Sequence, residues 1–249
     1  MRPRLILAIP LALGSTGAAR AQSIADRVNA VRDGTVRMTF AARPGVCGDG
    51  AGSVWISDVR RAFDGRRSCI AGPMRVAIGR DNGVTVSVRT RVGGEWSPRS
   101  SETDLGSVSP DEAAHYLLGL VRSLSGRGAD DAISGAALAD ANDVSPDLLR
   151  LVRDRDASLE TRKQALFWFG QGDAPTKDLV SLYDSLDARP VREQFTFVMS
   201  QRRDNEAIDK LIDIARTDRD SQIRRQAMFW LGQSKDPRAI KFFHDVLVR

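Results

Sequence analysis

RKQALFWFGQ, Arg162 to Gln171, and RRQAMFWLGQ, Arg224 to Gln233, agree at seven of ten positions and begin 62 residues apart. The chain has only four Trp, and two of them fall in this one decapeptide. Between the copies lies REQFTFVMSQ, Arg192 to Gln201, so the starts are 30 and 32 residues apart and the true period is about 31. Self-similarity at such a period is the mark of a stacked helical array, because one helix pair cannot bury its apolar face alone. A weaker earlier unit is read from SPDLLRLV, which matches TKDLVSLY one period later. The expected units are 128–157, 158–188, 189–219 and 220–249. Each pairs a first helix, such as 177–187 or 205–217, with a second that carries the decapeptide.

At 100° per residue the decapeptides have two sides. Ala165, Trp168 and Phe169, then Val191, Phe195, Val198 and Met199, then Ile223, Ala227, Trp230 and Leu231 gather on one side as the predicted core. Gln-x2-Phe-x3-Gln recurs without slippage on the other side. Its members are Gln164, Phe167 and Gln171, then Gln194, Phe197 and Gln201, then Gln226, Phe229 and Gln233. Three rings flanked by amides on adjacent helices form a stripe suited to an extended peptide. The alternative is that neighbouring repeats or the β region cover these Phe as ordinary packing.

An Asp precedes each decapeptide: Asp156 before Arg162, Asp187 before Arg192, and Asp218 before Arg224. With Arg-x2-Ala-x3-(Leu/Phe)-Gly, this resembles the HEAT-like repeats of bacterial proteins, the class also found in phycobilisome lyases. The resemblance implies an α-solenoid whose second helices line the concave side, and a structural Asp–Arg ladder joining neighbouring repeats. The middle copy departs from the pattern with Phe195 for Ala and Ser200 for Gly, so bulkier packing is expected there. Lyase activity is not implied, since nothing in the chain resembles a chromophore site.

Working toward the N-terminus, Ser109-Pro110-Asp111-Glu112 reads as a capping box with Pro at the first helical position, opening a helix closed by Gly126. Residues 98–108 are polar and turn-rich and read as a linker. Over 22–97 the period is two, apart from a short amphipathic helix at 23–33. TVRMTFA and SVWIS are candidate strands. PMRVAIGR and GVTVSVRTRV flank Asp81-Asn82-Gly83, and Asn-Gly favours a two-residue hairpin turn. Met74, Val76 and Ile78 are expected to share a face with Val84, Val86 and Val88. The predicted class is α+β: a small antiparallel β-rich region with a short N-terminal helix, then an α-solenoid of three to four repeats over 109–249.

Residues 1–21 have the layout of a cleavable signal peptide. Arg2 and Arg4 precede an apolar Leu5 to Leu13, and Ala19-Arg20-Ala21 offers cleavage before Gln22. The apolar run falls well short of the roughly 20 residues a membrane span needs. No Cys near the cleavage point suggests a lipid anchor, and no adjacent arginines suggest a twin-arginine signal. A periplasmic or secreted location is therefore expected, with no membrane segment in the mature chain. Three Arg and no acid lie in this leader, which turns the formal +5 into +2 for residues 22–249. The pI near 9.7 thus argues for no nucleic-acid partner. In an oxidising compartment Cys47 and Cys69 are expected to pair, closing a 22-residue loop. A reactive thiol is the rival reading.

Catalytic patterns are missing. His115 and His244 have no ligand at metal-binding spacing, and Gly-x-Ser-x-Gly, Ser-x-x-Lys and phosphate loops do not occur. Neither a metal nor a cofactor is expected. Cys47-Gly48-Asp49-Gly50 can present a carboxylate but is also ordinary turn chemistry. Ile240, Phe243 and Leu247 stripe the last helix beside Phe242 and Val246, an apolar end that can fold back, form a homodimer or receive a partner. These observations predict a non-enzymatic scaffold for a protein or peptide partner. An enzyme or small-ligand binder with its site near Asp49, and a structural envelope component, are the alternatives.

Overall fold

The computed structural model describes residues 22–56, 69–97, 102–202 and 204–248. The expected leader and its cleavage point lie outside these residues. Helix α1 (Ile24–Asn29) is shorter than the sequence suggested. Ser23 and Asp26 cap its start reciprocally, and Gly34 already opens a strand.

Strands β1 (Gly34–Phe40), β5 (Met74–Asp81), β6 (Val84–Val92) and β7 (Glu102–Ser107) form one sheet in the order β6-β5-β1-β7. A second, smaller sheet joins β2 (Val46–Gly48), β3 (Val54–Ile56) and β4 (Ile70–Ala71) in the order β3-β2-β4. Cys47 on β2 is bridged to Cys69 just before β4, with Cα atoms 5.4 Å apart. The β5–β6 turn is as expected: Asn82 and Gly83 have φ of 50° and 78°.

Two expectations fail in this sheet. Val84 and Val86 are exposed rather than on the core face, because the register slips at Gly79/Arg80 and Thr85 takes the buried place. Val88 and Val92 recover the inward direction. The polar stretch read as a linker supplies β7, which runs parallel to β1 from Thr35↔Glu102. As an edge strand exposed along most of its length, it needs no apolar alternation, so its sequence carries no strand signal.

Helices follow as α2 (Pro110–Leu120), α3 (Arg127–Ala137), α4 (Ser145–Arg153), α5 (Leu159–Gln171), α6 (Thr176–Leu182), α7 (Arg189–Gln201), α8 (Asn205–Thr217), α9 (Ser221–Gln233) and α10 (Pro237–Leu247). Ser109 Oγ caps α2, but Glu112 does not complete the box. Its carboxylate accepts from the Ile24 amide at 2.5 Å and ties α2 to α1. The small residues of RGADDAISGAA let α3 lie close on β6, where Thr90 Oγ1 donates to the Asp131 carbonyl at 2.7 Å. Helices α3, α5, α7 and α9 then stack as one layer, with α4, α6 and α8 packed beside them. Sheet and helices share one continuous core, from Met38, Val76 and Ile133 to Phe195 and Leu231.

The Asp–Arg ladder joins successive repeats. Arg162 of α5 meets Asp187, ahead of α7, at 2.6 Å; Arg192 of α7 meets Asp218, ahead of α9, at 3.2 Å. Asp154, not Asp156, plays this part ahead of α5, pairing with Arg122 at 2.6 Å. Arg224 instead donates to the Asp218 carbonyl at 2.7 Å.

Candidate partner-binding face

The three decapeptides form α5, α7 and α9, each started by a local device: Ser158 accepting from the Thr161 amide, Pro190 in the first turn, and Asp220 accepting from the Gln222 amide. Ala165, Phe169, Val191, Phe195, Val198, Met199, Ile223, Ala227 and Leu231 are buried as the helical wheel predicted. The two Trp differ. Trp168 is buried, whereas Trp230 is only partly so, and neither indole N–H has an acceptor among the described residues.

The three Phe are not equivalent either. Phe167 and Phe197 stack with centroids 6.4 Å apart and planes at 16°. Phe197 reaches Trp230 at 5.3 Å, and Trp230 meets Phe229 edge-on at 4.9 Å. The rings therefore form one row across three helices, and mutual packing leaves Phe167 and Phe197 half-buried. Phe229 stands at its end, 53% exposed. Gln171, Gln201 and Gln233 are exposed, while Gln164, Gln194 and Gln226 are half-buried. Of these six amides only that of Gln201 has a hydrogen bond among the described residues, to Ser200 Oγ at 3.2 Å.

Gln201 and Gln233 also flank a cavity of about 400 Å³ that the sequence reading missed. Ile208, Leu211 and Trp230 supply its apolar lining, and Arg202 and Asp236 its charges. Arg202 reaches back to the Ala174 carbonyl at 2.9 Å, and its Nε has no acceptor among the described residues. Arg238 hydrogen-bonds Asp236 and holds that carboxyl down at about 2, so it is ionised at neutral pH. The one signal that pointed here was the recurrence of Gln at the end of every decapeptide. Arg202, Ile208 and Leu211 belong to the adjoining loop and first helix and carry no repeat signature.

The other sequence candidates have local structural work. The Ser53 hydroxyl and the amides of Ala51 and Gly52 hold the Asp49 carboxyl well below the usual range, so this group caps a turn. His115 Nδ1 lies 2.8 Å from Asp147 and ties α2 to α4. No group of three His, Cys, Asp or Glu among the described residues is placed to hold a metal, and no described helix is long and apolar enough to cross a membrane. On α10, Phe242 is buried beneath Arg216, and Ile240, Val246 and Leu247 are exposed.

Residues 223–248, which span α9 and α10, match the family described as PBS lyase HEAT-like repeat. No curated protein and no solved structure matches the chain. The molecule is an α+β protein, a β-rich part followed by stacked helices, and its last described helix pair matches a HEAT-like repeat.

Proposed function

We propose that this protein is an exported, non-enzymatic scaffold that holds an extended segment of a partner protein across α5, α7 and α9. By resemblance this is the concave side of the solenoid. The observation that carries the reading is Phe229, a half-exposed ring ending an aromatic row beside unbonded glutamine amides. Exposed aromatics are the side chains most enriched where binding energy concentrates, and primary amides can donate to and accept from a peptide backbone. The cavity between Gln201 and Gln233 receives one partner side chain, with Trp230 as its wall.

The test is selection of peptides on the purified protein, followed by affinity measurement with Phe229→Ala and with Gln201→Ala/Gln233→Ala. Each change should weaken a selected peptide by about tenfold or more. Peptides that bind all three proteins equally place recognition elsewhere. Export is tested by N-terminal sequencing of the processed protein, expected to start at Gln22. Self-association through α10 is tested by sedimentation of Ile240→Glu/Leu247→Glu, which should be monomeric at concentrations where the parent is not.

A further inference from the structure

One face of the four-stranded sheet is packed against helices; the other is not covered by any described helix and carries four arginines. Arg37 is neutralised there by Glu102 at 3.2 Å and Asp104 at 3.1 Å. Among the described residues Arg89 has only a long contact, 3.7 Å, to Asp131. Arg75 is 4% exposed, and its Nε and Nη2 donate to the Gly93 and Gly50 carbonyls at 2.8 and 2.6 Å, while Nη1 donates to the Glu95 carbonyl. The Trp96 ring lies 5.1 Å from its guanidinium. All these acceptors are neutral, so among the described residues a buried cation has hydrogen bonds and no ion pair. Burial, and then Arg91, hold its pKa below the ordinary arginine value.

Arg91 sits directly opposite Arg75 in the β5–β6 register. It is exposed and has no hydrogen bond or ion pair among the described residues. Like charges facing each other across strands are destabilising, and burying an unneutralised charge is costly. The sheet accepts both penalties at one place. Over that place opens a concavity of about 240 Å³, lined by Arg75, Arg89, Arg91, Ser87, Thr35 and Trp96 among others. Its floor is kept low by Gly79, where a Cβ would fall 2.4 Å from Ser87 Oγ. Glu95 and Glu102 also line it, but Glu102 is engaged by Arg37, so positive charge remains in excess.

We propose that this concavity is a binding site for the phosphate group of a small phosphorylated ligand. Arg91 and Arg89 donate to the oxyanion, Ser87 adds a hydroxyl donor, and Arg75 contributes fixed charge. Arg75, Arg89 and Arg91 against the Glu95 carboxylate leave an excess of about two positive charges, which matches a group carrying about two negative charges above its second pKa near 6. A carboxylate would neutralise only one of them. Arginine also suits the site because its planar fork meets phosphate oxygens bidentately. The ligand's organic part lies against Trp96.

The probes are inorganic phosphate and phenyl phosphate, titrated into the purified full-length protein at constant ionic strength and followed by calorimetry and tryptophan fluorescence. Saturable binding at pH 7.5 is expected, weakening as pH falls through about 6. Arg91→Gln should lose about tenfold to a hundredfold in affinity, and Arg91→Lys less. Trp96→Phe should abolish the fluorescence response to phosphate while calorimetric heat persists. Arg91→Gln should melt at or above the parent temperature, because it relieves repulsion and breaks no bond. The proposal is overturned if phosphate does not saturate, if acetate binds as well as phosphate, if Arg91→Gln binds like the parent, or if it melts lower.

Discussion

Gly170 and Gly232 hold the same place in two copies of the decapeptide, yet their surroundings differ. A Cβ on Gly170 would fall 2.2 Å from Val198 Cγ1, whereas one on Gly232 would meet only Phe243 Cζ at 3.9 Å. Gly170 is therefore the contact point that lets α5 and α7 approach, and Gly232 is a helix residue near an exposed end. Gly170→Ala should cost about 1–3 kcal/mol through overpacking. Gly232→Ala should stabilise by about 0.4–1 kcal/mol, since alanine restricts the unfolded chain and favours the helix. Thermal unfolding of the two variants should move in opposite directions. Adding Val198→Ala should recover part of the Gly170→Ala loss, a coupling that a double-mutant cycle measures. If both glycine variants lower the melting temperature equally, the close approach of α5 and α7 is not what Gly170 provides.

At the scale of elements, the ladder carboxylates govern how helices join. Asp187→Ala leaves Arg162, itself 4% exposed, without its carboxylate. Because Asp187 is partly open to solvent, the expected loss is about 1–3 kcal/mol rather than that of a fully buried pair. Asp156→Ala should stay within about 0.5 kcal/mol, since Asp156 is exposed and outside the ladder. Acid acts on Asp187 and on other paired carboxylates. Arg162 holds the Asp187 carboxyl below its usual range, Arg238 holds Asp236 near 2, and Lys241 lowers Asp245. A depressed carboxyl stabilises the fold above its unfolded pKa of about 3.9, and that stability is lost as pH falls through the native value. Burial raises Asp130 and Asp131, which run the other way, but they are fewer. The melting temperature should therefore drop between about pH 5 and pH 2.5. A flat or rising profile would show that these ion pairs contribute little. These joints were partly legible beforehand. The 31-residue period located the helices, and the resemblance supplied an Asp–Arg ladder. Spacing alone suggested Asp156, because turn length, not residue count, decides which carboxylate reaches the preceding arginine. The phenylalanine stripe was legible as positions on a wheel, but its gradient of exposure was not, since Trp230 covers Phe197 from the next repeat.

At the scale of the molecule, the expected separation into a β region, a linker and a solenoid does not describe the packing. The linker contains the edge strand β7, and α3 is both the first member of the stacked layer and the cover of the sheet. Composition could not reveal this, because a solvent-facing edge strand is polar and α3 approaches the sheet through small residues rather than large apolar ones. The consequence concerns cooperativity. Val76, Ile78 and Val88 share a core with Ala132, Ile133 and Ala136, so the sheet cannot open without exposing the first helices of the array. Amides buried in β5 and α3 should then exchange with the same free energy of opening and the same denaturant dependence. In α10, Phe242 and Ala239 are buried while Ile240, Val246 and Leu247 face outward, so this helix is held along one narrow line. Its amides should exchange earlier, by local fraying that leaves the sheet protected. Hydrogen exchange across a denaturant series separates the two behaviours. Sheet amides that open at lower free energy than those of α3 would mean that β6 and α3 are two units in contact rather than one.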